Sequence, residues 1–409
     1  MGTGTSLAVL VGNGLSIAVN DALQLDRLTQ DFLDRHDADR ADLDRLVAGI
    51  HLGDVDPARD FEGLVAGLES AEEVISAFMG LARGVAHPQM RAAADLLEEK
   101  GVPALARRLY YAYCAEVLDA IGELARGTLP TAAIAFGDWL KAMYQAHGSA
   151  GLFTLNYDVL LERMLVDENV LGLKPALTDF FSGLEERQRA FELVPEREPA
   201  VGRLFYPEDP ADRPIELHHL HGCLTHFRLH EDGSIWKFDS SDIRSLGVYD
   251  YLMGAGAATF APSVILGSRK IEKSRDWPFS FAFLSLEQEA RAARTVVIAG
   301  YSFRDEAVNA RLAATAASGE RRWIVINRKG SLEVAEYMDR VSSLLRPAKI
   351  EFALGGFDGD LPDIVSPAPA PRTPSIGFFD IVDETQGSSW GPMSCQQVEA
   401  NGFVFNGTY

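Results

Sequence analysis

Polar residues follow short apolar runs at five places in this chain of 409 residues. The runs have the length and composition of buried strands, and the residues after them carry amides, carboxylates, hydroxyls and imidazoles. Because parallel strands end at one edge of a sheet, we expect these groups to line one ligand crevice. In chain order the five polar segments are Gly12–Ser16, Asn156–Asp158, His218–Gly222, Gly300–Ser302 and Asn327–Arg328.

The first segment is a glycine turn, in which Gly12, Asn13 and Gly14 precede a helix that contains Ser16. Glycines there let the backbone approach a pyrophosphate, while the helix start offers free N–H groups and Ser16 a hydroxyl donor. A tight turn without a ligand is the alternative interpretation. Ile17 replaces the third glycine of a dinucleotide fingerprint, and no clear acidic residue follows at the expected place, which argues against a hydride-transfer dehydrogenase.

Asn156 and Asp158 come directly after the next apolar run, although neither residue type favours a strand. They can contact a ligand at the sheet edge. They can equally cap the following helix, since Asn and Asp are good helix caps. Both interpretations stay open from the residues alone.

His218, His219 and His221 end a further strand, and three histidines in four residues suggest a metal. No carboxylate or cysteine nearby in the sequence completes a familiar ligand set, and adjacent strand positions splay ligands apart, so we predict no metal site. A single imidazole, that of His221, is better suited to general-base chemistry near neutral pH. Gly222 beside it is expected to let a substrate approach.

Gly300 and Ser302 repeat the order of strand, glycine, polar turn and helix, and Asn327 ends another apolar run. The turn at Gly300 and Ser302 is suited to phosphate or ribose, and the Asn327 amide to ribose hydroxyls. Helix capping explains each polar residue singly but explains the whole set less well.

Alternating strand and helix patterns position these groups. They predict an α/β fold with a Rossmann-like parallel sheet, helices on both faces, a helical insertion and a C-terminal tail. Strands are predicted over residues 6–12, 151–155, 215–220, 263–266, 295–299, 323–326 and 350–354. Helices are predicted over residues 159–167, 280–293, 305–317 and 332–345, and residues 168–214 are expected to be an irregular excursion.

The chain is expected to divide into three parts. Residues 1–21 and 151–358 supply the sheet domain, residues 22–150 the helical insertion, and residues 359–409 a Pro-rich linker and an aromatic tail. Apolar residues three and four apart in an Ala-, Leu- and Glu-rich background favour helices in the insertion.

Composition excludes several classes of protein. The chain has 38 basic and 59 acidic residues, a formal net charge of −21, so we do not expect nonspecific nucleic-acid binding. Cys114, Cys223 and Cys395 lie far apart, which excludes a disulfide framework and a four-cysteine zinc site and fits a reducing cytoplasm. Since no apolar run is long enough to span a bilayer and no signal peptide is recognised, we expect a cytoplasmic protein without a membrane contact.

Taken in order, the polar segments resemble the sirtuin superfamily. The resemblance covers roughly residues 6–330, and it is closer to the bacterial sirtuin-like NAD hydrolases of antiphage defence than to deacylating sirtuins. Asn13 stands where the family usually has Ala, and the deacylases' zinc ribbon, with its two cysteine pairs, is missing after His221. The matching residues are Gly12-Asn13-Gly14-x-Ser16, Asn156-x-Asp158, His221-Gly222, Gly300-x-Ser302 and Ile326-Asn327.

The resemblance implies cleavage of the nicotinamide–ribose bond of NAD without a metal. Asp158 would contact the nicotinamide carboxamide, Asn156 would orient the ribose and the attacking water, and His221 would act as the base. The residues implied in NAD binding are Gly12, Asn13, Gly14 and Ser16 at the diphosphate, Gly300 and Ser302 at phosphate or ribose, and Asn327 at the adenosine ribose.

Two alternatives stay open: a non-catalytic sensor of NAD or ADP-ribose, and an NAD-dependent protein deacylase. Because unrestrained NAD hydrolysis is toxic, we expect a regulated enzyme, either a homo-oligomer or one tied to an activating protein partner. The helical insertion and the aromatic tail are the surfaces expected to mediate that regulation.

Overall fold

The described residues all lie within residues 1–370, the first of two units into which the chain divides. The predicted linker and tail over residues 359–409 lie outside the described residues, apart from 359 and 361–364. The computed structural model describes residues 7–35, 61–124, 129–167, 171–173, 176–181, 186–187, 200–205, 214–253, 260–265, 270–328, 333–357, 359 and 361–364.

The strands of the described residues belong to two sheets. They are β1 Leu7–Val11, β2 Ala150–Thr154, β3 Leu177–Thr178, β4 Glu186–Arg187, β5 Ala200–Arg203, β6 Ile215–His219, β7 Gly222–Leu229, β8 Ile235–Phe238, β9 Phe260–Val264, β10 Thr295–Ala299, β11 Arg322–Ile326 and β12 Ile350–Ala353.

The helices of the described residues are α1 Gly14–Val19, α2 Leu25–Arg35, α3 Phe61–Gly84, α4 Pro88–Glu99, α5 Val102–Leu124, α6 Thr131–His147, α7 Leu160–Val166, α8 Ser240–Ser245, α9 Val248–Met253, α10 Lys270–Lys273, α11 Phe279–Ala292, α12 Glu306–Ala316 and α13 Val334–Leu344. Among them, none combines the length and the apolar character that a membrane span requires.

Seven of the described strands form a parallel sheet in the order β12-β11-β10-β1-β2-β6-β3. The central strand β1 pairs in parallel with β10 and β2, so that Val9 lies opposite Val297 and Leu152. All of β1 is buried, as is typical of a strand covered on both faces. The predicted parallel sheet is therefore confirmed.

Helices cover both faces of this sheet. On one face α6 and α7 pack over Val9 and Leu152. On the other face α11, α12 and α13 pack over Leu10 and Phe153. Alternate residues of each strand thus lie in two different cores, because successive side chains of a strand point to opposite faces of the sheet. The prediction of helices on both faces is confirmed.

The order in which the chain adds strands reverses between β1 and β10, although all the strands are parallel. The chain runs outward from β1 through β2 to β6, and then returns to the other side of β1 with β10, β11 and β12. In open α/β sheets a crevice forms beyond the carboxyl ends of the strands at such a reversal. The glycine turn at residues 12–14 and the turn at residue 300 both lie at this point.

A second, antiparallel sheet has the strand order β4-β5-β8-β7-β9. The prediction that residues 263–266 supply a strand of the parallel sheet is wrong, because β9 pairs antiparallel with β7, with Gly222 opposite Val264. Residue 266 itself lies outside the described residues. A short apolar run shows that a strand is buried but does not show which sheet it joins.

The helical segment divides between two cores. Leu64 and Leu68 of α3 and Tyr113 of α5 share a core with Phe227 and Phe238 of the antiparallel sheet. The last helix of the segment, α6, instead packs on the parallel sheet. Our boundary at residue 150 therefore assigns to the insertion one helix that covers the sheet.

A hydrogen bond also connects α6 to the end of the described part of the chain. Trp139 of α6 is buried, and its indole N–H donates to the Pro362 carbonyl over 2.8 Å.

Candidate functional site

Gly12, Gly14 and Gly300 bring the turns after β1 and β10 into direct contact. The Gly14 N–H donates to the Gly300 carbonyl over 2.8 Å, and a Cβ on Gly14 would lie 2.6 Å from the Gly300 Cα. Gly300 has φ +66°, a left-handed conformation in which a Cβ would lie 2.7 Å from the Leu15 nitrogen. Packing between the turns accounts for these glycines, and their contact with a diphosphate stays a prediction.

Ser16, Asn156 and Asp158 form one buried hydrogen-bonded group. The Asn156 Nδ2 donates to Ser16 Oγ over 2.9 Å, and that hydroxyl donates to Asp158 Oδ2 over 2.5 Å. The other carboxylate oxygen, Oδ1, accepts from the Leu160 N–H at the start of α7 over 2.9 Å. Asp158 therefore both supports the helix start and joins the turn after β1 to the turn after β2.

The group presents one open acceptor. Oδ1 of Asn156 is buried and has no hydrogen-bond partner in the described part of the chain, which is costly unless a ligand or water supplies a donor. Burial raises the pKa of Asp158 above its ordinary value, although the bonds from Ser16 and Leu160 act in the opposite direction.

His221 lies beside this group. Leu220 donates its N–H to the Thr154 carbonyl over 2.9 Å, which fixes the end of β6 next to the end of β2. The His221 ring then stacks near Tyr157, with centroids 6.2 Å apart. Since Tyr157 stands between Asn156 and Asp158, the imidazole adjoins the turn that carries both side chains.

Sequence reasoning missed Asp305, which lies next to His221, and Lys270, which pairs with Asp305. Asp305 Oδ2 lies 3.2 Å from His221 Nε2, and Lys270 Nζ lies 3.5 Å from the same oxygen. Burial would raise the pKa of Asp305, but His221 and Lys270 hold it well below its usual range. The available signal was the position of Asp305 at a predicted helix start, where its Oδ1 indeed accepts from the Val308 N–H over 3.0 Å.

Three further predicted residues lie around this centre. Asn13 donates its Nδ2 to the Leu23 carbonyl over 3.2 Å, and the Ser302 side chain is exposed after the Gly300 turn. Asn327 is buried, and its Nδ2 donates to the Tyr301 carbonyl over 3.1 Å and to the Tyr337 hydroxyl over 2.9 Å. The Asn327 Nδ2 thus braces the turn, and Oδ1, which accepts from the Arg328 N–H over 2.9 Å, has a second lone pair for a ribose hydroxyl.

Strand packing accounts for Gly222, and the approach of a substrate at this glycine stays a prediction. It has φ +74°, and a Cβ there would lie 2.0 Å from the Ser263 carbonyl oxygen. A glycine is needed because β7 and β9 approach closely at this point.

Sequence reasoning found no carboxylate or cysteine that completes a familiar ligand set with the histidines, whereas the fold brings Glu162 of α7 to them. The candidate ligand atoms of Glu162, His219 and His226 lie within 4.8 Å of one another. Lys237 Nζ, however, donates to Glu162 Oε1 over 2.9 Å and to Asp179 Oδ2 over 2.7 Å. Burial would lower the pKa of Lys237, but the two carboxylates hold it above its usual range, so this ammonium already supplies the cation.

The edge of the sheet therefore combines two chemistries. One is an amide oxygen in a buried hydrogen-bonded group, suited to orient a hydroxyl or a water. The other is an imidazole paired with a carboxylate, suited to move a proton near neutral pH.

Most of this edge lies in a part of the chain that matches a known family model. Residues 150–343 match the family model of the SIR2-like domain. A solved structure described as "Structural Basis for the Mechanism and Regulation of Sir2 Enzymes" superposes with a TM-score of 0.37 and 10% identity over 87% of this chain and 88% of the other. None of the curated proteins matches the chain.

Proposed function

Because residues 150–343 match the family model of the SIR2-like domain, we propose that the protein binds NAD at the edge of its parallel sheet and hydrolyses the nicotinamide–ribose bond. The supporting observation is the group Ser16–Asn156–Asp158 with its one open acceptor, Asn156 Oδ1. Ser16 precedes the matched residues, yet it follows β1, the central strand of the same sheet.

In this reaction the bond between ribose C1 and the nicotinamide nitrogen breaks, and its electron pair neutralises the positively charged ring. A water oxygen bonds to C1 and loses a proton to His221, which later releases it to solvent. The products are nicotinamide and ADP-ribose. Positive charge develops on the ribose in the transition state, and we assign its stabilisation and the alignment of water to Asn156 Oδ1.

We assign the contacts with the remaining parts of NAD as the resemblance to sirtuins implies. Asp158 contacts the nicotinamide carboxamide, and Asn327 contacts the adenosine ribose. The diphosphate and its ribose lie against residues 12–16 and residues 300–302. No metal takes part, because the leaving group carries its positive charge in the substrate.

The test is NAD turnover by the purified full chain, with nicotinamide and ADP-ribose separated by chromatography. Asn156→Ala and His221→Ala should each lower kcat by about 100-fold or more. His230→Ala is the matched control, since this histidine is exposed in the turn after β7. The proposal fails if both site variants consume NAD as fast as the wild-type protein. A chelator should leave turnover unchanged.

The two alternative functions give different outcomes in the same preparation. Tight NAD or ADP-ribose binding in calorimetry, without turnover under any activating condition, would indicate a sensor. NAD-dependent release of acyl groups from an acyl-lysine peptide would indicate a deacylase.

We further propose that the enzyme is a regulated NAD-depleting effector of bacterial antiphage defence, active as a homo-oligomer or with a protein partner. Exposed apolar side chains on the helical insertion support an interface there: Val74 and Leu81 on α3 are 68% and 56% exposed, and Leu96 on α4 is 54% exposed. Light scattering on Val74→Lys and Leu81→Lys should show a lower mass if these residues hold copies together. An unchanged mass would exclude this face as the homo-oligomer contact.

A further inference from the structure

Asp305 and His221 meet at the edge of the sheet, with Oδ2 3.2 Å from Nε2. We propose that Asp305 is a positioning residue for His221, a role that rests on the proposed NAD hydrolysis. Asp305 keeps the imidazole proton on Nε2, so that Nδ1 is the nitrogen that accepts a proton from water. The two atoms lie at ion-pair distance without the alignment of a hydrogen bond, and the negative charge next to Nε2 favours the proton on that nitrogen.

The Asp305 carboxylate is fixed by its own surroundings. Its side chain is 5% exposed, and Oδ1 accepts from the Val308 N–H over 3.0 Å, which leaves Oδ2 toward His221. The Asp305 N–H donates to the Tyr301 hydroxyl over 3.1 Å, and that hydroxyl donates to Asn309 over 2.9 Å. Because the backbone and one carboxylate oxygen of Asp305 are both held, the position of its second oxygen next to the ring is fixed.

Lys270 keeps this carboxylate paired throughout the reaction. Its Nζ lies 3.5 Å from Asp305 Oδ2, and the short helix α10 that carries it is tied to α3 by Lys273 and Glu69, 2.5 Å apart. A buried carboxylate without a cation is costly. Because the Lys270 ammonium lies next to Asp305, His221 can gain and lose a proton without leaving the carboxylate unpaired.

The proton balance follows from this arrangement. Water gives its proton to Nδ1 of His221, and the imidazolium that forms lies next to the Asp305 anion. Asp305 stabilises the imidazolium and takes up no proton itself, and His221 then releases the proton to solvent.

The first test is the kinetics of Asp305→Asn in the full chain. Asparagine also caps helices, so the start of α12 is kept. We expect kcat for NAD to fall about 100-fold while KM stays within about threefold, because Asp305 acts through His221 and does not touch NAD. The matched control is Asp239→Asn, since Asp239 caps α8 by accepting from the Ser241 N–H over 2.8 Å. An unchanged kcat in Asp305→Asn overturns the proposal.

Lys270→Met is a second variant, which leaves the α12 cap untouched. We expect a fall in kcat of about tenfold, since Asp305 then loses the ammonium that lies 3.5 Å from its Oδ2. Should Asp305→Asn not fold, an unchanged kcat in Lys270→Met overturns the proposal.

The second measurement does not depend on activity. Nitrogen NMR of the protein labelled on its 9 histidines reports the tautomer of each ring, and His221→Ala identifies the signals of His221. Above neutral pH we expect the proton on Nε2 in the wild-type protein and a loss of that preference in Asp305→Asn. The same tautomer in both proteins overturns the proposal. A tautomer change in a protein that never hydrolyses NAD refutes the proposed function and keeps the pairing of Asp305 with His221.

Discussion

Ser16 donates a hydrogen bond of 2.5 Å to Asp158, which stands 142 positions later in the chain. This bond joins the turn after β1 to the turn after β2, and the same hydroxyl accepts from Asn156. One small side chain thus sets the relative positions of the two residues assigned to nicotinamide and water.

Ser16→Ala should lower the free energy of unfolding by about 1–3 kcal/mol, because two buried polar groups lose a partner. The Ser16 bond lowers the pKa of Asp158, so its removal raises that pKa further. A carboxyl group with a raised pKa stabilises the folded protein at low pH, where it is protonated, and this stabilisation is lost as the pH rises. Ser16→Ala should therefore lower the free energy of unfolding more at about pH 8 than at about pH 5. Urea unfolding at both pH values measures it, with Ser245→Ala, an exposed position, as the control.

Gly300→Ala should destabilise the fold by about 1–3 kcal/mol or more, since the left-handed backbone and the contact with Leu15 both oppose a Cβ. Gly80→Ala is the matched control. Gly80 lies inside α3, and a Cβ there would meet no atom within 4 Å. Because Ala favours helices, the control should gain up to about 1 kcal/mol. Equal stability of the two variants in urea unfolding would contradict the close contact between the turns.

The raised pKa of Glu289 should make the free energy of unfolding depend on pH, and this effect does not involve catalysis. Burial, together with the nearby Glu216 carboxylate, raises the pKa of Glu289 from 4.5 to about 7. The folded protein therefore holds this proton more tightly than the unfolded chain, and the associated stability, at most about 3 kcal/mol, is lost between about pH 4.5 and pH 7. Glu289→Gln should flatten the curve of unfolding free energy against pH in this range. A curve parallel to that of the wild-type protein would show that Glu289 ionises normally.

Lys237→Met should destabilise the protein by about 3–5 kcal/mol, because it leaves Glu162 and Asp179 without their shared cation. Lys100→Met is the control, since Lys100 pairs with Glu99 at the surface, where such pairs contribute at most about 1 kcal/mol. Thermal or urea unfolding compares the two variants. If Lys237→Met is as stable as the control, the cluster around Glu162 carries no unpaired charge.

The sequence predicted the parallel sheet well because its strands are short apolar runs next to helical patterns. β1 and β10, for example, are buried along their whole length. The antiparallel sheet was missed because its strands include polar residues, such as His226 in β7 and Lys237 in β8, which lie opposite each other. Neither strand has the continuous apolar composition by which the others were recognised.

At the candidate site, the sequence indicated single residues but not their partners. Asp305 contacts His221 only because the turns after β10 and β6 lie at the same edge of one sheet, and Glu162 reaches His219 only through the packing of α7. Motif spacing carries no information on such contacts, since each depends on how distant elements pack. The glycines were recognised, but their packing against each other was visible only in the fold.

The hydrogen bond from Trp139 to the Pro362 carbonyl determines where a shortened protein should end. A protein cut before Pro362 would bury an indole N–H without an acceptor, and the resulting instability would be mistaken for a function of the removed tail. Cutting after Ile364 keeps this anchor, so that any change in mass or turnover then belongs to the missing residues alone.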